Sequence, residues 1–190
     1  MKAKNILIGL LALGTVLACK EDKKENTKEA PAAVEVEQNK TATGKVVVTL
    51  NAIVPVDDSF QVFYIEEDSL DFNGDFLIIT PVKGKPEAQD IKFLLPDESY
   101  PIALRLDIGD NKKQGAINLN TVTVDYYGKS FVIKGGTEFL KYFYPNNVDV
   151  KNPTAASVTL VPVEVGDSHD PMFYPTPALL EALKTLVKAK

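Results

Sequence analysis

The chain has 190 residues, 21 Lys and Arg against 26 Asp and Glu, and a formal net charge of −5 at neutral pH. An acidic chain without a basic patch excludes ordinary nucleic-acid recognition, which needs clustered Lys and Arg. One Cys and one His exclude a disulfide within the chain, a thiolate cage and a His-rich metal centre.

In chain order, the first element is a targeting segment. Lys2 and Lys4 precede the run Ile6–Ala18, apolar apart from Thr15. At about 13 residues it is too short to cross a bilayer, which takes about 20 helical residues. It has the size of the apolar region of a secretory signal. The run ends in "VLAC", Val16–Cys19. This resembles the signal of bacterial lipoproteins, with an aliphatic residue three before the cysteine and a small residue directly before it. The resemblance implies cleavage after residue 18, acylation of Cys19 and durable membrane attachment by several acyl chains, each methylene contributing about 0.8 kcal/mol. Losing Lys2 and Lys4 takes the mature charge from −5 to about −7. Lys20, Glu21 and Asp22 follow, a lysine and two acids similar to the surface-export signal of Bacteroidota lipoproteins. That resemblance implies the outer face of the outer membrane.

Residues 19–44 then read as the lipidated cysteine and a charged tether. The span is Lys, Glu, Ala, Thr and Asn with almost no large apolar side chains, so burial cannot offset chain entropy. A coil of this length reaches roughly 25–30 Å.

Residues 45–175 read as one β-sandwich, jelly-roll-like. Val46, Val48, Leu50, Ala52 and Val54 alternate on one face of the first strand. Phe60–Ile65, Phe76–Thr80 and a run ending at Pro96 follow. The next strand turns Ile102, Leu104, Leu106 and Ile108 inward and Arg105 and Asp107 outward. Ile117 and Leu119 share one parity, Val122 and Val124 the other, which predicts a bulge near Asn120–Thr121. Lys129–Gly136 and Ala156–Val165 complete the strands. A short helix is predicted from Thr137 to the stop at Pro145, with Phe139, Leu140 and Phe143 on its apolar face. Residues 176–190 read as a C-terminal helix, with Thr176 as cap, Pro177 at the first helical position, and Leu179, Leu180, Leu183, Leu186 and Val187 as one stripe. This helix either packs on the sandwich or serves as an exposed docking helix.

The order "IKFLLPD", "LRLDIGDNKKQGAINLNTVTV", "FLKYFYPNN" and "SHDPMFY" is similar to the carbohydrate-binding-like β-sandwich modules attached to bacterial surface-polysaccharide synthesis proteins. The likeness spans roughly residues 45–175. It implies a glycan-related context and transfers no ligand residues.

Several groups are candidates for chemistry. Asp71, Asn73 and Asp75 space their oxygens as a calcium loop begins, yet residue 82 is Val where such a loop carries Glu; calcium is the one cofactor that this spacing suggests. Asp107, Asp110 and Asn111 form a second acidic turn. With no Trp, sugar stacking falls to Tyr126, Tyr127, Tyr142 and Tyr144. Alternation turns Tyr126 inward and Tyr127 outward, so Tyr127 leads, with Tyr126, Asp107, Asp110 and Asn111 beside it. Glu66, Glu67 and Asp68 are adjacent loop acids, whereas glycosidase chemistry needs two carboxyls opposed across a cleft. His169 lies beside Ser168, poor geometry for direct proton transfer. Arg105, the sole arginine, is expected to pair with a cross-strand acid.

The expectation is therefore a non-catalytic surface lipoprotein, a binding or accessory module for glycan or another envelope component. The alternative is a structural protein that docks envelope proteins through its sheet or its last helix.

Overall fold

A computed structural model describes residues 36–38 and 44–188. The targeting segment, Cys19 and the export residues Lys20, Glu21 and Asp22 lie outside the described residues. The described residues form one compact unit. Its strands are β1 (Val36–Gln38), β2 (Val46–Val54), β3 (Asp58–Ile65), β4 (Leu77–Val82), β5 (Lys85–Leu94), β6 (Ala103–Asp107), β7 (Ile117–Tyr126), β8 (Lys129–Lys134), β9 (Phe143–Asn146), β10 (Val148–Lys151), β11 (Val158–Pro162) and β12 (Met172–Pro175). Two helices, α1 (Gly135–Tyr142) and α2 (Pro177–Lys188), complete the unit.

The strands make a β-sandwich of two antiparallel sheets, one of seven strands and one of five. Strand β7 is the hub of the larger sheet. One of its edges pairs along its length with β2, which carries β5; the other pairs first with β11 and then with β8. Strand β1 adds to the free edge of β8, and so falls within the span that the sequence reads as tether. The smaller sheet runs β4-β3-β6-β12-β9.

Alternation built this core. Val46, Val48, Leu50, Ala52 and Val54 are all at most 2% exposed. They meet Phe60, Val62 and Tyr64 of β3, Leu104 and Leu106 of β6 and Phe173 of β12 in one cluster. Burying each such side chain contributes about 1.5–3 kcal/mol. The parity switch in β7 is a bulge: Asn51 faces Thr121 while Ala52 faces Leu119, leaving Asn120 unmatched. Its amide donates to Asn51 Oδ1 at 2.8 Å, so the extra residue stays hydrogen-bonded.

Helix α1 differs from the sequence expectation at both ends. It starts at Gly135, where φ is +69° and a Cβ would run into the Ala155 carbonyl. Thr137 is therefore inside the helix, and the entry is closed by the Lys134 N–H donating to Glu138 Oε2 at 2.6 Å. The helix ends at Tyr142, because Phe143–Asn146 pair with β12 instead. Phe139 still stacks on Phe143, with ring centroids 5.0 Å apart.

Helix α2 packs. Leu179, Ala182, Leu183 and Leu186 are at most 2% exposed within the main core. Pro177 opens the helix as predicted, but the Thr176 hydroxyl donates to the Lys141 carbonyl at 2.7 Å, tying α2 to α1 rather than capping its own turn. Among the described residues no helix is long and apolar enough to cross a membrane.

Candidate binding face

Registry on the five-stranded sheet lines up two rows of side chains on the face turned away from the core. Phe63 sits between Leu77 and Arg105, and Tyr174 faces Tyr144. Because Asp107 faces Met172 and Leu106 faces Phe173, Tyr174 falls beside Arg105. The first row is thus Leu77, Phe63, Arg105, Tyr174 and Tyr144. The second is Ile79, Gln61, Asp107, Met172 and Asn146. Same-face residues of neighbouring strands lie about 5 Å apart, so each row is a continuous strip of contacts.

Arg105 and Asp107 anchor the middle of this face. Arg105 Nε and Nη2 donate to the two oxygens of Asp107 at 2.9 and 2.8 Å. The guanidinium lies 3.9 Å from the Phe63 ring centre and 5.8 Å from those of Phe72 and Tyr174. The sequence expectation placed both residues outward, and they do leave the core side. They are nevertheless covered, with side chains only 14% and 10% exposed, because the β3–β4 connection carries Phe72 against Tyr174 and Arg105. Nor is the partner a cross-strand acid: it lies two residues along the same strand. Burial pushes the Asp107 carboxyl above its ordinary range; Arg105 pulls it back, and Asp170 and Asp110 add to the rise.

At the β9 edge the face opens. Tyr144 is half exposed and stacks on Tyr174, with centroids 5.4 Å apart and planes 17° from parallel. Asn146 is exposed beside it, and on the far side of the sheet Asp110 is exposed, Ile79 of the opposite edge strand β4 is 56% exposed and Gln61 is partly so. Asp110 accepts from Gln61 Nε2 at 3.2 and 3.3 Å.

Asp58 fixes the β6–β7 turn that presents Asp110. Its Oδ1 accepts the N–H groups of Ser59, Asp110 and Asn111 at 2.8, 2.9 and 3.1 Å, and its Oδ2 accepts Gln114 Nε2 at 2.6 Å. Gly109, at φ +126°, passes so close that a Cβ would strike the Asp58 carboxylate. Asn111 is spent within this turn: its amide donates to the Asp57 carbonyl and its oxygen accepts the Lys113 N–H. Sequence reading missed Asp58; an acid some 50 residues before a Gly-Asp-Asn turn carries no local signal.

The leading tyrosine of the sequence reading, Tyr127, sits at a turn and not within a strand. Tyr127 takes φ +46° at the β7–β8 turn, so strand alternation does not govern it. Its ring stacks on Tyr100 at 5.7 Å and meets Tyr126 edge-on at 5.1 Å, and its hydroxyl donates to the Ser99 carbonyl at 3.2 Å. It packs the turn and is half-buried. Tyr126 is 1% exposed; burial above all, then Tyr127, Tyr100 and Glu66, push its hydroxyl up to about 12. Tyr142 is buried edge-on against Phe131. Of the four candidate tyrosines the structure leaves Tyr144 on an open face. It adds Tyr174, which sequence reading passed over.

Asp71, Asn73 and Asp75 occupy the exposed β3–β4 connection. Asn73 Oδ1 accepts the Asp75 N–H at 3.0 Å, an Asx turn. Among the described residues no group of three His, Cys, Asp or Glu side chains gathers to hold a metal. Glu66 Oε1 accepts the Tyr100 N–H at 2.9 Å, and Asp68 pairs with Lys184 of α2 at 2.8 Å. That pairing lowers the Asp68 carboxyl and raises the Lys184 ammonium. His169 sits half-buried just past a tight bridge between Val165 and Ser168, and neither ring nitrogen bonds a protein group.

No protein-family model, curated protein or solved structure matches the chain.

Proposed function

We propose that the chain is a non-catalytic binding module, anchored through Cys19 at the outer membrane and displayed at the cell surface, that holds glycan or another envelope component on the outer face of its five-stranded sheet. The stacked pair Tyr144 and Tyr174 carries this reading. A half-exposed ring offers an apolar face for the C–H groups of a sugar, and Asn146 on the same strand supplies a hydroxyl partner, with Gln61 and Asp110 farther along the face on the β3 side. The signal and export resemblances support the address, and the sandwich is a scaffold of the kind that the module resemblance implies.

The non-catalytic part rests on how the loop acids are used. Glu66 and Asp68 serve separate structural partners, whereas hydrolysis of a glycoside needs two carboxyls facing each other at a set separation. Docking through α2 has little support, because its apolar stripe is already buried in the core.

The test is a glycan array probed with the full-length chain and with Tyr144→Ala. Saturable binding that is lost in the variant is the expected result. Binding by neither form, with both folded by circular dichroism, overturns the proposal.

A further inference from the structure

We infer that the outer face of the five-stranded sheet selects glycans built from uncharged sugars and rejects those bearing carboxylate or sulfate groups. This rests on the glycan reading above and names the class of ligand within it.

The inference comes from the charges along the face that carries the platform. Recognition of an acidic sugar calls for an available cation, best a guanidinium fork matched to two oxygens. Arg105 is the one arginine of the chain, and it stands in the same row as the stacked tyrosines. Its Nε and Nη2 fork is already filled by both oxygens of Asp107. Phe63 covers its plane at 3.9 Å, and its side chain is only 14% exposed. The pair is neutral as a unit, and Lys112, in the same turn as Asp110, is held on the Asp167 carbonyl at 3.0 Å, so what a ligand on the sheet rows feels is the remainder. Asp110 and Asp170 both act on Asp107 as negative charges, and Asp110 takes its hydrogen bond from the neutral amide of Gln61. An anionic glycan extending from Tyr144 across the sheet toward Gln61 would meet these carboxylates and gain no salt bridge from the covered Arg105.

The same groups suit a polyol. A carboxylate accepts two or more O–H hydrogen bonds, and the amides of Gln61 and Asn146 both donate and accept. Arg105 acts here as a positioning residue, because it fixes Asp107 in the second row beside Gln61, its cross-strand neighbour.

The experiment is affinity electrophoresis of the full-length chain through gels containing dextran, mannan, laminarin or soluble chitosaccharides as uncharged polymers, and polygalacturonate or alginate as acidic ones. Tyr144→Ala and Asp110→Asn run beside the wild type. Expected are retardation by at least one uncharged polymer, weakening by about tenfold or more in Tyr144→Ala, no retardation by the acidic polymers, and a narrower gap between the classes in Asp110→Asn. Tighter retention by an acidic polymer that is lost in Tyr144→Ala overturns the charge class and leaves the glycan reading standing. Retention by no polymer, or retention indifferent to Tyr144→Ala, overturns the glycan reading and the class with it.

Discussion

Replacing Arg105 by Met tests how the centre of the outer face is held. The wild-type pair has two bonds of 2.9 and 2.8 Å between side chains that are 14% and 10% exposed. Two charges about 4 Å apart at an effective dielectric of about 20 attract by about 4 kcal/mol. Methionine keeps an apolar stem against Phe63 but leaves Asp107 covered and unpaired. Breaking such a pair from one side costs about 3–5 kcal/mol, a large part of the roughly 5–15 kcal/mol that holds a domain folded. The loss depends on pH. Asp107 already titrates above its ordinary 3.8 in the folded protein, and Arg105 is what restrains it. Without Arg105 the folded carboxyl rises further, while the unfolded one does not. Between those two values the folded state binds the extra proton, so stability falls as pH rises, by up to about 1.4 kcal/mol per pH unit. Below the unfolded value both states are protonated and Asp107 contributes nothing. Urea unfolding at pH 5 and pH 8, followed by circular dichroism because the chain has no Trp, should therefore show the larger deficit at pH 8. The double variant Arg105→Met/Asp107→Leu should recover most of the loss, since apolar replacement of both members of a buried pair is often neutral. A deficit below about 1 kcal/mol at pH 8, an equal deficit at both pH values, or a double variant as weak as the single would refute the reasoning.

Other substitutions probe the rest of the frame. Gly135→Ala puts a side chain at φ +69° against the Ala155 carbonyl and should cost at least about 2 kcal/mol, or roughly 4–8 °C in Tm; an unchanged melting curve would show that the corner relaxes. Asp58→Ala removes an acceptor from four donors and should cost about 2–3 kcal/mol. It should also speed amide exchange at Asp110 and Asn111, and unaltered exchange there would mean that the turn holds itself. Tyr144→Ala, on a half-exposed residue, should change stability by less than about 1 kcal/mol, so that any lost binding reports the face and not the fold. Deleting residues 1–43 takes away β1 and bares the edge of β8; sedimentation should then show self-association, and a clean monomer would mean that β1 is not what protects that edge.

The sandwich was legible where alternation is long. Strand β2 and the bulge in β7 follow directly from which parity carries Val, Ile and Leu. Short elements were not. Strand β9 was read as the end of a helix, since Phe139 and Phe143 suit a helical face; pairing with β12 decided otherwise. Strand β12 has four residues, too few for a periodic signal. On the candidate face, alternation correctly sent Arg105 and Asp107 away from the core. It could not reveal that Phe72 would fold back over them, because a covering loop leaves no period in the chain. The same limit misplaced Tyr127, whose direction is set by a left-handed backbone at the turn.

The hub position of β7 constrains the order in which the molecule can assemble. Its partner β8 follows after a two-residue turn, so that hairpin can close within microseconds. Its partner β2 precedes it by some 70 residues, with Val46 opposite Tyr126 and Asn51 opposite Thr121. In the smaller sheet β12 joins β6 from more than 60 residues away, with Met172 opposite Asp107. Loops of that length must close before those contacts contribute, which places refolding in the millisecond-to-second range of all-β topologies. The last strand in chain order, β12, is also the one that carries Tyr174, so the candidate face comes into being only once the chain through Pro175 is in place.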